Sequence, residues 1–189
     1  MPLSVTLTLG AEFTLLIILL IASRVLEKKL LQKMATVIFV IYIFGVIYIT
    51  LLGRTGNREL HISLVPFWSY WVMLRGVFHA LCQCDWRGVI REVKFISYPA
   101  WSSLVLNILL FVPLGLLLPI VKESFGSLKK VFISGFLFSL SIEVTQILTK
   151  RGWFDVDDVI NNTLGAVIGV ILYLGIINAN CENINVHNA

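Results

Sequence analysis

Five apolar runs, at about 3–23, 35–52, 101–121, 131–148 and 159–177, leave this chain little choice of architecture. Each is close to the roughly 20 residues that a helix needs to cross a bilayer. Within hydrocarbon every backbone N–H and C=O must find a partner inside the protein, so such runs become helices. Hydrophobic residues make up 58% of the chain, mean hydropathy is +0.89, and only 14% of residues are charged. A soluble core of this length needs less apolar surface than that. The expected fold class is therefore an all-α membrane protein. It is a bundle of about five transmembrane helices, with a re-entrant or interfacial segment and an amphipathic surface helix, in one domain spanning 1–189. No basic region or small-residue cleavage site marks the first run as a signal peptide, so an uncleaved helix is expected. Glu12 sits well inside that run, either at the interface or facing the bundle.

The short loops carry the topology. Arg24, Lys28, Lys29 and Lys33 crowd residues 24–34, and Lys122, Lys129 and Lys130 crowd 122–130. Dense cationic loops stay cytoplasmic, which predicts the N-terminus outside and the C-terminus inside. The net charge of +4 comes from these membrane edges, not from a basic stripe, and no nucleic-acid partner is expected.

The interval 61–98 is not an ordinary loop. Residues 63–78, SLVPFWSYWVMLRGVF, are aromatic and apolar but broken by Pro66. They are too short and interrupted for a crossing, and Trp and Tyr favour headgroup depth. A re-entrant or interfacial segment is expected; a true crossing there would raise the count to six. Residues 87–98 read as an amphipathic helix in the membrane surface, or as a short surface helix packed on protein. Arg87, Arg91 and Lys94 share one face and Val89, Val93 and Ile96 the other. Cys82, Cys84 and Cys181 form no disulfide framework. His79, Cys82 and Cys84 have the spacing of a metal site but no evident fourth ligand, with His61 more distant. Ordinary thiols are the reading favoured over a metal site, and no cofactor is expected.

The chemistry concentrates in KRGWFDVDDVINNTLGAVIG, residues 150–169. At about 100° per residue, Asp155, Asp158 and Asn162 fall on one helical stripe that Gly165 and Gly169 continue, while Asp157 points elsewhere. Gly165 and Gly169 suit either a dimer face or close packing within one molecule. Ser139, Glu143 and Gln146 share a face of the fourth crossing. On the third, Asn107, Phe111 and Gly115 align, and Pro113 frees the carbonyl of Leu109. Arg54 ends the second crossing. All these ends meet at one depth, in the outer third of the bilayer. Ionisable groups there face a cavity or one another. Helix gluing alone would pair Arg54 with a carboxylate and Asn107 with Gln146. The candidate ligand-binding set is Arg54, Asn107, Glu143, Gln146, Asp155, Asp158 and Asn162. Glu143 and Asp158 are candidate catalytic groups.

The ordered pieces LLGR54, SLVPF at 63–67, NILLFVPLG at 107–115, EVTQ at 143–146 and DVDDVINNTLG at 155–165 resemble the VanZ-like membrane family. The resemblance covers about residues 50–170. It places the family's polar positions on the set just named, together with Pro66, Phe67, Pro113, Gly115 and Gly165. Ser63 departs from the family's usual asparagine, which removes an amide there. The resemblance implies a bacterial plasma membrane, in a Gram-positive organism, and tolerance to lipidated glycopeptide antibiotics of the teicoplanin type.

Three function classes follow. In the first, the chain binds or modulates a membrane lipid or lipid-linked wall precursor at the outer leaflet, or competes with a lipidated glycopeptide. In the second, it is an intramembrane enzyme on a lipid headgroup, with Glu143 as general base and Asp158 or Asp155 as partner. In the third, it is an accessory subunit of a transporter; five crossings without a repeat disfavour an autonomous carrier.

Overall fold

A computed structural model describes residues 3–22, 26–53, 62–93 and 98–187. Arg54, His61, Lys94 and Ile96 lie outside the described residues, as does the side chain of Glu12. The expected apolar runs are helices: α1 (Leu3–Ala22), α2 (Lys28–Ile47), α5 (Tyr98–Val121), α6 (Leu128–Thr149) and α7 (Val156–His187). Between α2 and α5 come β1 (Ile62–Ser63), α3 (Trp68–Cys82) and α4 (Trp86–Glu92). β2 (Phe154–Asp155) precedes α7.

Among the described residues, four stretches are long and apolar enough to cross a membrane: Lys28–Leu52, Ser102–Val121, Leu128–Thr149 and Val156–Ile176. The first includes a π-helical turn, Tyr48–Leu52, that continues α2. Helix α1 adds a further, largely apolar helix of 20 residues. By contrast α3 has 15 residues, about 22 Å at 1.5 Å per residue, short of a hydrocarbon core of about 30 Å. Pro66 explains its late start, since the helix forms only beyond the turn that the proline occupies.

Two expectations shift in extent. The helix expected over 87–98 is described only as α4, over Trp86–Glu92. The last helix runs on to His187, so the polar tail beyond about 177 continues the helix.

Helices α5 and α7 press backbone to backbone. A Cβ added at Gly115 would collide with the carbonyl of Ala166, one at Gly165 with that of Ile108, and one at Gly169 with that of Val112. Glycine is the residue that allows such approach, and without a hydrophobic drive in lipid this close packing holds the pair together. The glycine stripe is thus filled by α5 of the same chain, and the dimer-face alternative loses its surface. Helix α6 joins through Gly135, where an added Cβ would lie 2.7 Å from the Ala166 methyl.

Helix α2 docks on α5 by apolar contacts around Tyr42, Val46, Phe111 and Leu117. The Tyr42 hydroxyl donates to the Leu110 carbonyl at 2.8 Å, beside the Leu109 carbonyl that Pro113 deprives of its helical donor. Tyr42→Phe should cost about 1 kcal/mol, read as a lower unfolding midpoint in detergent; an unchanged midpoint removes this bond from the stability account. On the opposite side of the bundle, Gln32 Nε2 donates to the Val121 carbonyl at 2.8 Å and Lys28 pairs with Glu123 at 2.6 Å.

Candidate functional site

The acidic turn before α7 is a junction of three elements. Asp155 caps α7: its Oδ1 accepts the Asp157 N–H at 3.0 Å, satisfying a donor that a helix start leaves free. Its own N–H donates to Glu143 Oε2 at 3.1 Å, tying the turn to α6. Its strand β2 pairs in parallel with β1, Ser63 opposite Asp155 and Ile62 opposite Phe154. Asp157 and Asp158 occupy the first turn of α7, where the helix dipole favours negative charge.

Each remaining polar residue has a defined neighbour. Asp158 Oδ1 accepts from Asn107 Nδ2, and from Ser103 Oγ at 3.5 Å, joining α7 to α5. Asn162 Nδ2 donates to Ser139 Oγ at 2.9 Å, joining α7 to α6. Gln146 Nε2 donates to the Thr50 carbonyl at 3.1 Å, joining α6 to the end of α2. The structure does not pair Asn107 with Gln146; the parallel run of α5 and α7 sets Asn107 against Asp158 instead. Glu143, Gln146 and Asn162 are buried and Asp155 and Asp158 half-buried.

Two buried amide oxygens, Gln146 Oε1 and Asn162 Oδ1, have no hydrogen-bond partner among the described residues. Gln146 is 1% exposed and Asn162 4%. Ser139 and Gln146 lie one turn to either side of Glu143 on the inner face of α6. Asn162 binds Ser139, so the two oxygens bracket Glu143 along the helix. Buried acceptors of this kind normally hold water or a ligand.

Asp157 was expected to point away from the site, and it does leave the Asp158 stripe. It is nonetheless buried, and its Oδ1 accepts the Phe67 N–H at 2.7 Å. Phe67 sits in the left-handed region at φ 60, the position that starts α3. Tyr70, one turn into α3, hydrogen-bonds Asn161 of α7. Burial, and then the charge of Asp157, push the Tyr70 phenol above its ordinary range, so it keeps its proton at physiological pH. Asp157, Asn161 and Tyr70 escaped the sequence reading. The available signal was the turn at Pro66, whose following N–H groups need acceptors once the segment enters a membrane.

The α3–α4 unit is a helical hairpin. Asp85 caps α4 by accepting the Gly88 N–H at 2.9 Å, and Gly76 of α3 makes room for Glu92 of α4. Cys82 and Cys84 are free, exposed thiols, and His79 Nε2 lies 3.4 Å from Gln83 Nε2. Among the described residues no group of three His, Cys, Asp or Glu side chains is disposed to hold a metal ion.

No solved structure gives a significant match. The chain is similar to protein VanZ of Enterococcus faecium, at 37% identity over 84 residues. That stretch is 44% of this chain and 52% of the relative, so the match spans about half the relative's length. The VanZ/LLP1 profile matches residues 39–178, from the middle of α2 through the acidic turn and the apolar part of α7. That is well over half of the sequence, and it takes in every element that builds the polar cluster: the chain belongs to the VanZ/LLP1 family.

Proposed function

We propose that this chain is a bacterial plasma-membrane protein of glycopeptide tolerance. Its polar cluster between α5, α6 and α7 holds the headgroup of a membrane lipid or lipid-linked wall precursor at the outer leaflet, with the N-terminus outside. The observation that carries this reading is the pair of unpartnered oxygens, Gln146 Oε1 and Asn162 Oδ1, bracketing buried Glu143. A ligand that brings O–H or N–H donors, as sugar, amide and amine headgroups do, satisfies both. Family membership supports the envelope role, and the lipid tail of teicoplanin-type antibiotics gives such a protein a shared foothold to contest.

The test is expression in a susceptible Gram-positive host. The inhibitory concentration of a lipid-tailed glycopeptide should rise, and that of a tail-less one should not. Gln146→Leu should abolish the rise while the membrane level holds. It removes the unpartnered Oε1 but also the Nε2 bond to the Thr50 carbonyl, so the unfolding midpoint should fall by the equivalent of about 1–3 kcal/mol. Full protection by a Gln146→Leu protein at that membrane level would sink the headgroup assignment.

The burial of Glu143, at 2% exposure with one oxygen on the Asp155 N–H, favours one second reading. A carboxylate so placed could serve as general base toward a headgroup, with Asp158 as partner. Glu143→Gln separates the two: it keeps the shape and the acceptor for Asp155, so a binding scaffold survives it and a general base does not.

A further inference from the structure

Two grooves of opposite character meet on the hairpin. One, of about 430 Å³, is apolar, lined by Trp71, Leu74, Val77, Phe78 and Leu81 together with Arg75. The other, of about 510 Å³, runs between α3 and α4 and includes His79, Gln83, Arg91 and Glu92. Trp71 and Arg75 line both. The carboxylates of the polar groove are engaged: Asp85 accepts the Gly88 N–H at 2.9 Å, and Glu92 faces Arg91 at 4.0 Å. Arg75 has neither an ion pair nor a hydrogen bond among the described residues.

The surroundings fit one kind of occupant. Trp68, Trp71, Leu74 and Phe78 stand exposed along α3, which is too short to cross and so stays within one leaflet. Tryptophan favours headgroup depth, and a guanidinium fork matches phosphate oxygens. We propose that the hairpin holds an anionic phospholipid, with an acyl chain in the apolar groove and the phosphate on Arg75. No residue of the Glu143 cluster lines either groove. The assignment therefore needs only a membrane-embedded hairpin, and it stands or falls separately from the headgroup role of that cluster.

The experiment is intact-mass measurement of the full chain with its retained lipid. Protein is released from detergent micelles holding equal amounts of phosphatidylglycerol and of diacylglycerol, which has the same acyl chains and no phosphate. The unaltered protein should keep about tenfold more phosphatidylglycerol, the ratio given by one charge-assisted contact. Arg75→Ala should erase the preference, and Arg75→Lys should keep part of it. Arg87→Ala, on exposed α4 outside both grooves, should keep all of it. Phe78→Ser should lower retention of both lipids. Equal retention of the two lipids by the unaltered protein, or a preference that survives Arg75→Ala, overturns the phosphate site. Loss of preference in Arg87→Ala to the same degree means diffuse surface charge and overturns it too. Unchanged retention by Phe78→Ser overturns the acyl-chain groove.

Discussion

Gly165→Ala should destabilise the protein, against the trend for this substitution in helices. Alanine normally gains up to about 1 kcal/mol over glycine in a helix interior. At Gly165 the new methyl meets the backbone carbonyl of Ile108, which no rotamer change can move aside. Helices α5 and α7 must part, and overpacking of this kind costs about 1–3 kcal/mol. The net loss should be about 1–2 kcal/mol for the single change, and larger when Gly115→Ala is added. Gly175, also on α7, has nothing within 4 Å of an added Cβ, so Gly175→Ala is the control and should not destabilise. Unfolding midpoints in one detergent decide it. A Gly165→Ala midpoint at or above that of Gly175→Ala would contradict the backbone contact.

Asp157→Ala should free the hairpin from the bundle. The carboxylate holds the Phe67 N–H, and Phe67 adopts a left-handed conformation that costs about 1–3 kcal/mol in a residue with a side chain. Losing a charge-assisted bond adds about 1.5–3 kcal/mol. With the acceptor gone, the turn at Pro66 can relax. Local opening should rise at least tenfold, read as faster tryptic cleavage after Arg75 in reconstituted protein. Asp157→Asn keeps a carbonyl oxygen and should fall between the two. Equal cleavage of Asp157→Ala and the unaltered protein would show that the hairpin is held by other contacts.

The transmembrane helices were legible because their signal is length and apolarity, which survive any tertiary arrangement. The glycine stripe was legible as a contact face, since small residues four apart can serve nothing else so well. Its partner was not: choosing α5 over a second molecule requires the carbonyls of Ile108 and Val112, and backbone atoms leave no trace in side-chain pattern. The partners of Asn107 and Gln146 failed for a related reason. Equal depth places residues on one level, but only the rotation of each helix decides that Asn107 meets Asp158 and Gln146 meets the Thr50 carbonyl. Asp157 was set aside because its face was compared with other side chains, whereas its partner is a peptide N–H ninety residues earlier. Trp, Tyr and Pro66 led to the expectation of a re-entrant or interfacial segment over 63–78, and the structure shows there a helix of 15 residues, α3. Its grooves depend on how α4 folds back over Gly76.

The two-rung ladder between Ser63 and Asp155 gives the molecule a lever. Asp155 is at once a rung of that ladder, the cap of α7 and the donor to Glu143. A molecule that wedges against the aromatic hairpin and tilts it draws on Ile62 and Ser63. Through the rungs it shifts the peptide that Glu143 grips. A displacement of the hairpin would thus reach the buried Glu143 carboxylate through a single peptide, at the same end of the bundle.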